Sequence, residues 1–141
     1  MSELDRAILV RRLYESGFDP ERLDEFVAED CVYRGPGGEV RGREALREMC
    51  AELRRAFPDL RIRVDALRVD GDEVEVEWTM TGTHGGAIGE FEATGREVEM
   101  SGRHTEVVRG GRVVERWGTS DHVGLARRLR EAAENEEEEE E

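Results

Sequence analysis

Apolar and polar residues alternate through the second half of the chain, and this alternation constrains the fold more than any other feature. Between residues 74 and 81, four apolar side chains occupy every second position: Val74, Val76, Trp78 and Met80. A period of two predicts a strand with one buried face. Residues 60–66 repeat the pattern, and Asp70-Gly71-Asp72 predicts the hairpin turn between the two strands. Two more strands follow at about 97–109 and 112–120, joined at Gly110-Gly111.

The first half of the chain has helical spacing instead. A first helix, ending near Gly17, is indicated by apolar residues that recur at helical spacing: Leu4, Ile8, Leu9 and Leu13. Asp19 as N-cap and Pro20 at the first helical position predict a second helix. A third begins after Gly42 and is stopped by Pro58, and a last helix is predicted over about 121–133. Helices followed by a curved antiparallel sheet indicate an α+β fold.

Length and charge limit the classes of partner. The 141 residues predict one domain over 1–133, followed by a disordered acidic tail at 134–141 that ends in a run of glutamates. A net charge of −14 argues against binding nucleic acid or an anionic membrane, because the phosphate interaction would be repulsive. Small molecules or another protein are therefore the expected partners.

Other sequence features favour a soluble, cofactor-independent protein. The N-terminus lacks the apolar run of a signal peptide and no stretch is long enough to span a bilayer, which predicts a cytoplasmic location. Cys31 and Cys50 are predicted to be reduced core thiols. The chain has no lysine for a Schiff base, no phosphate-binding or serine-nucleophile motif, and three scattered histidines that predict no metal site. Acid–base chemistry without a cofactor remains.

Period-two parity gathers the candidate polar residues. Because Val98, Met100 and Val113 are expected to face the core, alternate residues on their strands should face inward as well. The ionisable groups expected at the wide end of one apolar cavity are His84, His104, Glu106, Glu115 and Asp121. Asp121 is the first candidate for catalysis, since a desolvated carboxyl group at a strand end suits proton transfer.

Each candidate has a structural alternative. Asp121 is equally well explained as the N-cap of the last helix. His104 could be a satisfied core histidine, and His84 a loop residue in solvent. Trp78 and Trp117 could pack in the hydrophobic core or form the aromatic walls of a ligand pocket. Two glutamates could simply pair with neighbouring arginines: Glu106 and Glu115 with Arg103, Arg109 or Arg116. The Gly-rich segment 82–95 is interpreted as a mobile lid or a partner-contacting loop.

The order of several short motifs resembles the SnoaL-like polyketide cyclases, a branch of the nuclear transport factor 2-like superfamily. These motifs are Phe57-Pro58-Asp59-Leu60, Gly71-Asp72, Gly82-Thr83-His84-x-Gly86, Thr94-Gly95-Arg96, Gly111-Arg112-Val113-Val114-Glu115-x-Trp117 and Asp121-x-x-Gly124-Leu125. The resemblance covers the chain from the first helix to Leu129. It implies a cone-shaped sheet around N-terminal helices, a deep apolar pocket and a homodimer formed through sheet faces.

The resemblance also implies a reaction. The position of Asp121 corresponds to a general acid/base in an intramolecular aldol ring closure without metal or cofactor, and His104 corresponds to a histidine beside the substrate. The expected ligand is a small apolar or aromatic carbonyl compound. Its predicted contacts are Tyr33, Trp78, Met80, His84, Met100, Glu106 and Trp117.

One segment departs from the family pattern. Phe91-Glu92-Ala93-Thr94-Gly95 replaces an Ile-Pro-Pro-Thr-Gly sequence that the family often carries, so the loop over the pocket is expected to have a different shape. Because one fold serves many functions, a second hypothesis stands beside the enzyme. It is a non-catalytic module for ligand binding or dimerisation, in which Asp121 caps a helix and the histidines belong to the core.

Overall fold

A curved, unclosed six-stranded sheet and four helices form the part of the chain that the computed structural model describes, residues 1–35, 37–88, 91–121, 125–131 and 134. In chain order the strands are β1 Val27–Gly35, β2 Gly38–Arg41, β3 Arg61–Asp70, β4 Glu73–Thr83, β5 Glu97–Arg109 and β6 Arg112–Ser120. Across the sheet their order is β2-β1-β6-β5-β4-β3. All neighbours run antiparallel except β1 and β6, which are parallel. The sheet is therefore mixed and not antiparallel throughout as predicted, because β6 pairs with β1 in parallel. The predicted α+β architecture with N-terminal helices is confirmed.

Both predicted hairpins are present. Gly71-Asp72 joins β3 to β4, and Gly110-Gly111, with φ values of 59° and 77°, joins β5 to β6. Such left-handed φ values favour glycine, which explains why this turn could be predicted.

Local signals also set the helix ends. Helix α1 spans Glu3–Glu15 and begins with a capping box between Ser2 and Asp5. Asp19 accepts a hydrogen bond from the Glu21 N–H over a 3₁₀ turn, and α2, Leu23–Phe26, follows as a single turn, shorter than expected. Helix α3 spans Arg43–Ala56 and ends before Pro58, as predicted. Residues 125–131 form the C-terminal helix.

Most of the core lies between the helices and one face of the sheet. Its fully buried side chains include Val10, Leu13, Phe57, Val74, Val76 and Val113. Cys31 and Cys50 are buried free thiols, and burial raises the pKa of each to about 11. No described helix has both the length and the apolar character needed to cross a bilayer. The expected tail lies outside the described residues except for Glu134.

The segment after β4 folds back onto the end of α3. The N–H groups of Gly85 and Gly86 donate to the carbonyl oxygen of Ala56 at 2.9 and 3.1 Å, and a single bridge pairs Ile88 with Phe91. These bonds satisfy a carbonyl at the helix end that has no intrahelical partner. The described part of this segment is thus a cap on α3, and Gly89 and Glu90 lie outside the described residues.

Gly86 lies too close to α3 for a side chain. A Cβ atom there would overlap the Arg55 carbonyl group, whereas a Cβ at Gly85 would meet Pro58 Cδ at an ordinary 3.4 Å. We expect Gly86→Ala to lower the free energy of unfolding by about 1–3 kcal/mol, because the backbone must move apart. Gly85→Ala, the matched control, should change it by less than about 1 kcal/mol. Urea denaturation of both variants measures the difference, and equal values would contradict the close approach.

Candidate functional site

A β-bulge decides which residues of β6 face the helices. Val108 pairs with Val113, but Val107 pairs with Glu115, so Val114 is an extra residue on β6. One inserted residue reverses the parity of everything after it. Directly opposed residues share a face, and the pairs on the inner face, the face against α1, are Glu106 with Arg116, His104 with Gly118 and Gly102 with Ser120.

The bulge corrects the parity prediction. Glu115, Trp117 and Thr119 were expected to face the core, but their register places them on the outer face of the sheet. Asp121, expected to face the core with them, follows Ser120, the last paired residue of β6. Trp117 lies opposite Thr105 on β5 and is half-buried. Glu115 forms an ion pair with the exposed Arg34. The inward residue of this stretch is Arg116, which is 4% exposed.

Glu106 and Arg116 form an ion pair inside the core. Nε of Arg116 donates to both carboxylate oxygens of Glu106 at 3.1 Å, and the Tyr14 hydroxyl donates to Oε1 at 2.6 Å. The Arg116 guanidinium lies between two rings, 4.4 Å from the centroid of Tyr33 and 4.8 Å from that of Phe18. Glu106 therefore pairs with a neighbouring arginine, as the structural alternative expected. Its contact with a substrate stays a prediction.

The protonation of this cluster follows from its burial. Burial and the Glu106 charge raise the pKa of Tyr14 well above its usual value, so its hydroxyl stays protonated and donates. Burial raises the pKa of Glu106, while the charge of Arg116 and the Tyr14 hydrogen bond act in the opposite direction. Burial also disfavours the charged form of Arg116, but the Glu106 carboxylate outweighs it and the pKa of Arg116 is raised.

Trp78, His104 and Tyr33 form a hydrogen-bonded chain beside this ion pair. The indole N–H of Trp78 donates to Nδ1 of His104 at 2.7 Å, and Nε2 of His104 lies 3.2 Å from the Tyr33 hydroxyl oxygen. The Trp78 and His104 rings stack at 5.5 Å. All three residues are at least nine-tenths buried. These three predicted site residues are therefore brought together.

Glycines make room for the three rings: Tyr33 lies over Gly35, His104 over Gly118 and Trp78 over Gly102. A Cβ atom at Gly102 would lie 2.8 Å from Cε2 of Trp78, and one at Gly118 would lie 2.9 Å from Cδ2 of His104. Real Cβ atoms do not approach so closely, so any side chain would displace the rings. Inward glycines beside aromatic residues are the sequence signal that could have revealed this layer.

Asp121 lies at the end of β6, outside the buried chain. Its N–H donates to the Ser101 carbonyl oxygen at 3.0 Å, and its carboxylate accepts from Arg128 Nη2 at 3.0 Å with 47% of the side chain exposed. Its carbonyl oxygen accepts from the Leu125 N–H, so Asp121 also stands at the start of the C-terminal helix. Side-chain capping of residues 122–124 concerns residues outside the described part of the chain.

Two open grooves meet at Asp121. One, of about 520 Å³, runs beside Val98, Ser101 and Arg128. The other, of about 480 Å³, reaches the edge of Trp78 and includes Gly102, Thr119 and Asp65. Within the described residues these grooves are open to solvent, and most of the residues that line them are polar or charged. The deep apolar pocket implied by the family resemblance stays a prediction.

The other predicted contacts are spread along the inner face. Met80 and Met100 are buried and lie directly opposite each other on β4 and β5. His84 is fully buried beside Thr94 and Phe57. It follows Trp78 by six residues, roughly 20 Å at a strand rise of about 3.3 Å per residue, so it does not join the His104 chain. The described residues include no group of three His, Cys, Asp or Glu side chains placed to hold a metal ion.

Solved structures with the same fold carry different descriptions. A proposed SnoaL-like polyketide cyclase from Jannaschia sp. CCS1 superposes with a TM-score of 0.82 at 21% identity, covering 89% of this chain and 92% of that one. AclR from Streptomyces galilaeus, a proposed hydroxylase, has a TM-score of 0.81 at 24% identity, covering 92% and 83%. IdmH from Streptomyces antibioticus, a proposed polyketide cyclase, has a TM-score of 0.72 at 30% identity, covering 87% and 94%.

Sequence comparison assigns the family. A comparison with curated proteins found no match. The family model of the SnoaL-like polyketide cyclases matches residues 8–129, which is most of the chain and runs from within α1 to within the C-terminal helix. With the fold in agreement, the chain belongs to the SnoaL-like polyketide cyclase family.

Proposed function

We propose that the protein is a cofactor-independent enzyme that closes a ring in a small apolar or aromatic carbonyl compound by acid–base catalysis. Membership of the polyketide cyclase family supports a cyclase-like activity in general. The observation that carries the finer proposal is the chain of Trp78, His104 and Tyr33, which places hydrogen-bonding groups on an otherwise apolar face between Met80 and the ion pair of Glu106. Few, well-placed polar groups in an apolar wall are typical of small-molecule sites.

The proposed reaction is an intramolecular aldol addition. Asp121 removes a proton from a carbon α to one carbonyl, and the electron pair of that C–H bond passes into an enolate. The enolate carbon then bonds to a second carbonyl carbon of the same molecule, and the new alkoxide takes the proton back from Asp121. No atom is gained or lost, so no cofactor is needed. His104 and its partners would hold the carbonyl oxygen on which charge develops.

The position of Asp121 is compatible with this role. Asp121 follows Gly118, which lies opposite His104, by three residues, or about 10 Å at a rise of about 3.3 Å per residue. His104 lies on the inner face of the sheet, and the groove at Asp121 meets its partner Trp78 at Gly102, which has no side chain to separate them. The groove that reaches Trp78 is also lined by Asp121, whose carboxylate is half exposed and therefore accessible to a ligand.

A thermal-shift screen tests the proposal. Purified protein is heated with aromatic polyketides, steroids and small keto esters, because a ligand that binds only the native state stabilises it by about 2.7 kcal/mol at 100 times its Kd. We expect a carbonyl compound to raise the melting temperature and to be converted to a cyclised isomer of the same mass. Binding without any conversion across these classes would count against the enzyme.

Two observations favour a second function, a non-catalytic binding module. Both ring nitrogens of His104 already contact protein groups, and the Asp121 carboxylate is paired with Arg128. In such a module these contacts would be structural. The screen separates the two functions, since a binding module would return every ligand unchanged.

The homodimer and the cytoplasmic location expected from the sequence are also proposals. The outer face of the sheet carries the half-buried Trp117 among polar residues, and it supports a dimer formed through sheet faces. Sedimentation equilibrium of the wild-type protein and of Trp117→Glu measures this. A dimer that persists in the variant would place the interface elsewhere.

A further inference from the structure

The hydrogen bonds around His104 have a fixed direction. An indole N–H can only donate, so Nδ1 of His104 must accept the 2.7 Å bond from Trp78. A ring nitrogen that accepts carries no proton. The neutral imidazole therefore carries its hydrogen on Nε2, and that N–H donates to the Tyr33 hydroxyl oxygen 3.2 Å away.

This direction leaves the Tyr33 proton for another acceptor. The hydroxyl oxygen receives the His104 N–H through a lone pair, so its own O–H points away from the imidazole. Among the described residues, the Tyr33 oxygen has no other hydrogen-bond partner. A buried O–H donor without an acceptor is costly, and a bound molecule with an acceptor oxygen would satisfy it.

The Tyr33 ring is held firmly in this position. The Arg116 guanidinium lies 4.4 Å from the centroid of the ring. The ring also packs over Gly35, where a Cβ atom would come within 2.9 Å of Cζ of Tyr33. A donor fixed in this way loses little conformational freedom when a ligand binds.

We propose that the Tyr33 hydroxyl is the group that donates to an acceptor oxygen of the ligand, at the end of a chain running from Trp78 through His104 to Tyr33. Trp78 and His104 are then positioning residues, and His104 does not itself contact the ligand oxygen. This refines the proposed function, on which the identity of that oxygen as a substrate carbonyl rests. The direction of the chain stands independently of any reaction.

Nitrogen NMR of wild-type protein with ¹⁵N-labelled histidine tests the direction. At pH 7 we expect His104 to show an unprotonated Nδ1 and a protonated Nε2. Trp78→Phe removes the N–H that selects this tautomer and should produce a mixture, whereas Met80→Leu, a neighbouring core substitution, should leave it unchanged. A protonated Nδ1 in the wild-type protein would overturn the proposal and leave the cyclase hypothesis standing.

Matched probes test the donor. 1-Indanone and indane share a bicyclic skeleton and differ in one carbonyl group. We expect wild-type protein to bind 1-indanone more tightly than indane, and Tyr33→Phe to bind 1-indanone about 10-fold more weakly, with indane within about twofold. Circular dichroism verifies that Tyr33→Phe is folded.

Two outcomes would overturn the donor role: no preference of the wild-type protein for 1-indanone, or an equal preference in Tyr33→Phe. A preference that depends on Tyr33, combined with no turnover in the screen, would support Tyr33 as donor and reject the enzyme. The two hypotheses therefore fail separately.

Discussion

Replacing Arg116 with methionine is expected to lower the free energy of unfolding by about 3–5 kcal/mol, because it leaves a buried carboxylate without its cation. Glu106 is fully buried, and after the substitution only the Tyr14 hydroxyl would remain of its three hydrogen bonds. Methionine keeps the length of the arginine stem, so packing between Phe18 and Tyr33 changes less than the charge does. Urea denaturation at pH 7 measures the loss.

Two further variants show that the lost charge partner is responsible. Arg103 forms ion pairs with Glu75 and Glu77 on the exposed outer face, and Arg103→Met should cost at most about 1 kcal/mol. The double variant Glu106→Leu/Arg116→Met should recover much of the loss, since replacing both members of a buried pair by apolar groups is often close to neutral. An Arg116→Met variant no less stable than Arg103→Met would contradict the buried pair.

The loss should also depend on pH with a definite sign. Burial raises the pKa of Glu106, and removing Arg116 removes an effect that opposes this rise. A carboxyl group with a raised pKa in the folded state binds more protons folded than unfolded, so stability falls as pH rises through the folded value. Arg116→Met is therefore expected to be more stable, relative to wild type, at pH 5 than at pH 8. An equal difference at both pH values would contradict this sign.

The buried pair marks the limit of what parity could predict. Up to Val113 the alternation is correct, and the inward direction of His104 and Glu106 follows from it. The bulge at Val114 is not visible in the alternation, because Val113, Glu115 and Trp117 continue it without a break. Burying Arg116 instead of Trp117 is favourable only because the Glu106 carboxylate lies opposite it on the neighbouring strand. This pairing is a contact between two strands, so the alternation along β6 alone does not show it. The inward carboxylate of Glu106 could, however, have prompted a search for a buried cation.

Elements bounded by local sequence signals could be predicted more reliably than pairings between distant strands. Pro58, Asp19 and the Gly110-Gly111 turn act through their own backbone geometry, so the elements that they bound could be predicted from the sequence. The parallel pairing of β1 with β6 joins residues about 80 positions apart, and no turn between them fixes its direction. The ring layer has the same origin, since Tyr33, Trp78 and His104 meet only when four neighbouring strands, β1, β6, β5 and β4, are in register.

Asp121→Asn is expected to lower turnover by about 10²- to 10⁴-fold on a carbonyl substrate found by the screen, because an amide cannot take up the α proton. Asparagine has the shape of aspartate and can still accept the Arg128 hydrogen bond through its amide oxygen. The fold and the position of the side chain should therefore be retained. Initial rates over a range of substrate concentrations separate an effect on kcat from one on KM.

Asp65 provides the matched control for this substitution. It is a second carboxylate in the same groove, bonded to the Thr79 hydroxyl at 2.5 Å and to Arg63 Nε at 2.7 Å on the outer face. Asp65→Asn removes one charge from that groove as Asp121→Asn does, so any effect of charge on binding should be common to both variants. A fall in kcat confined to Asp121→Asn indicates proton transfer, since the effect then appears only in the transition state. A rise in KM of similar size in both variants would instead indicate that the groove's charge attracts the ligand, and undiminished kcat in Asp121→Asn would remove Asp121 from the catalytic role.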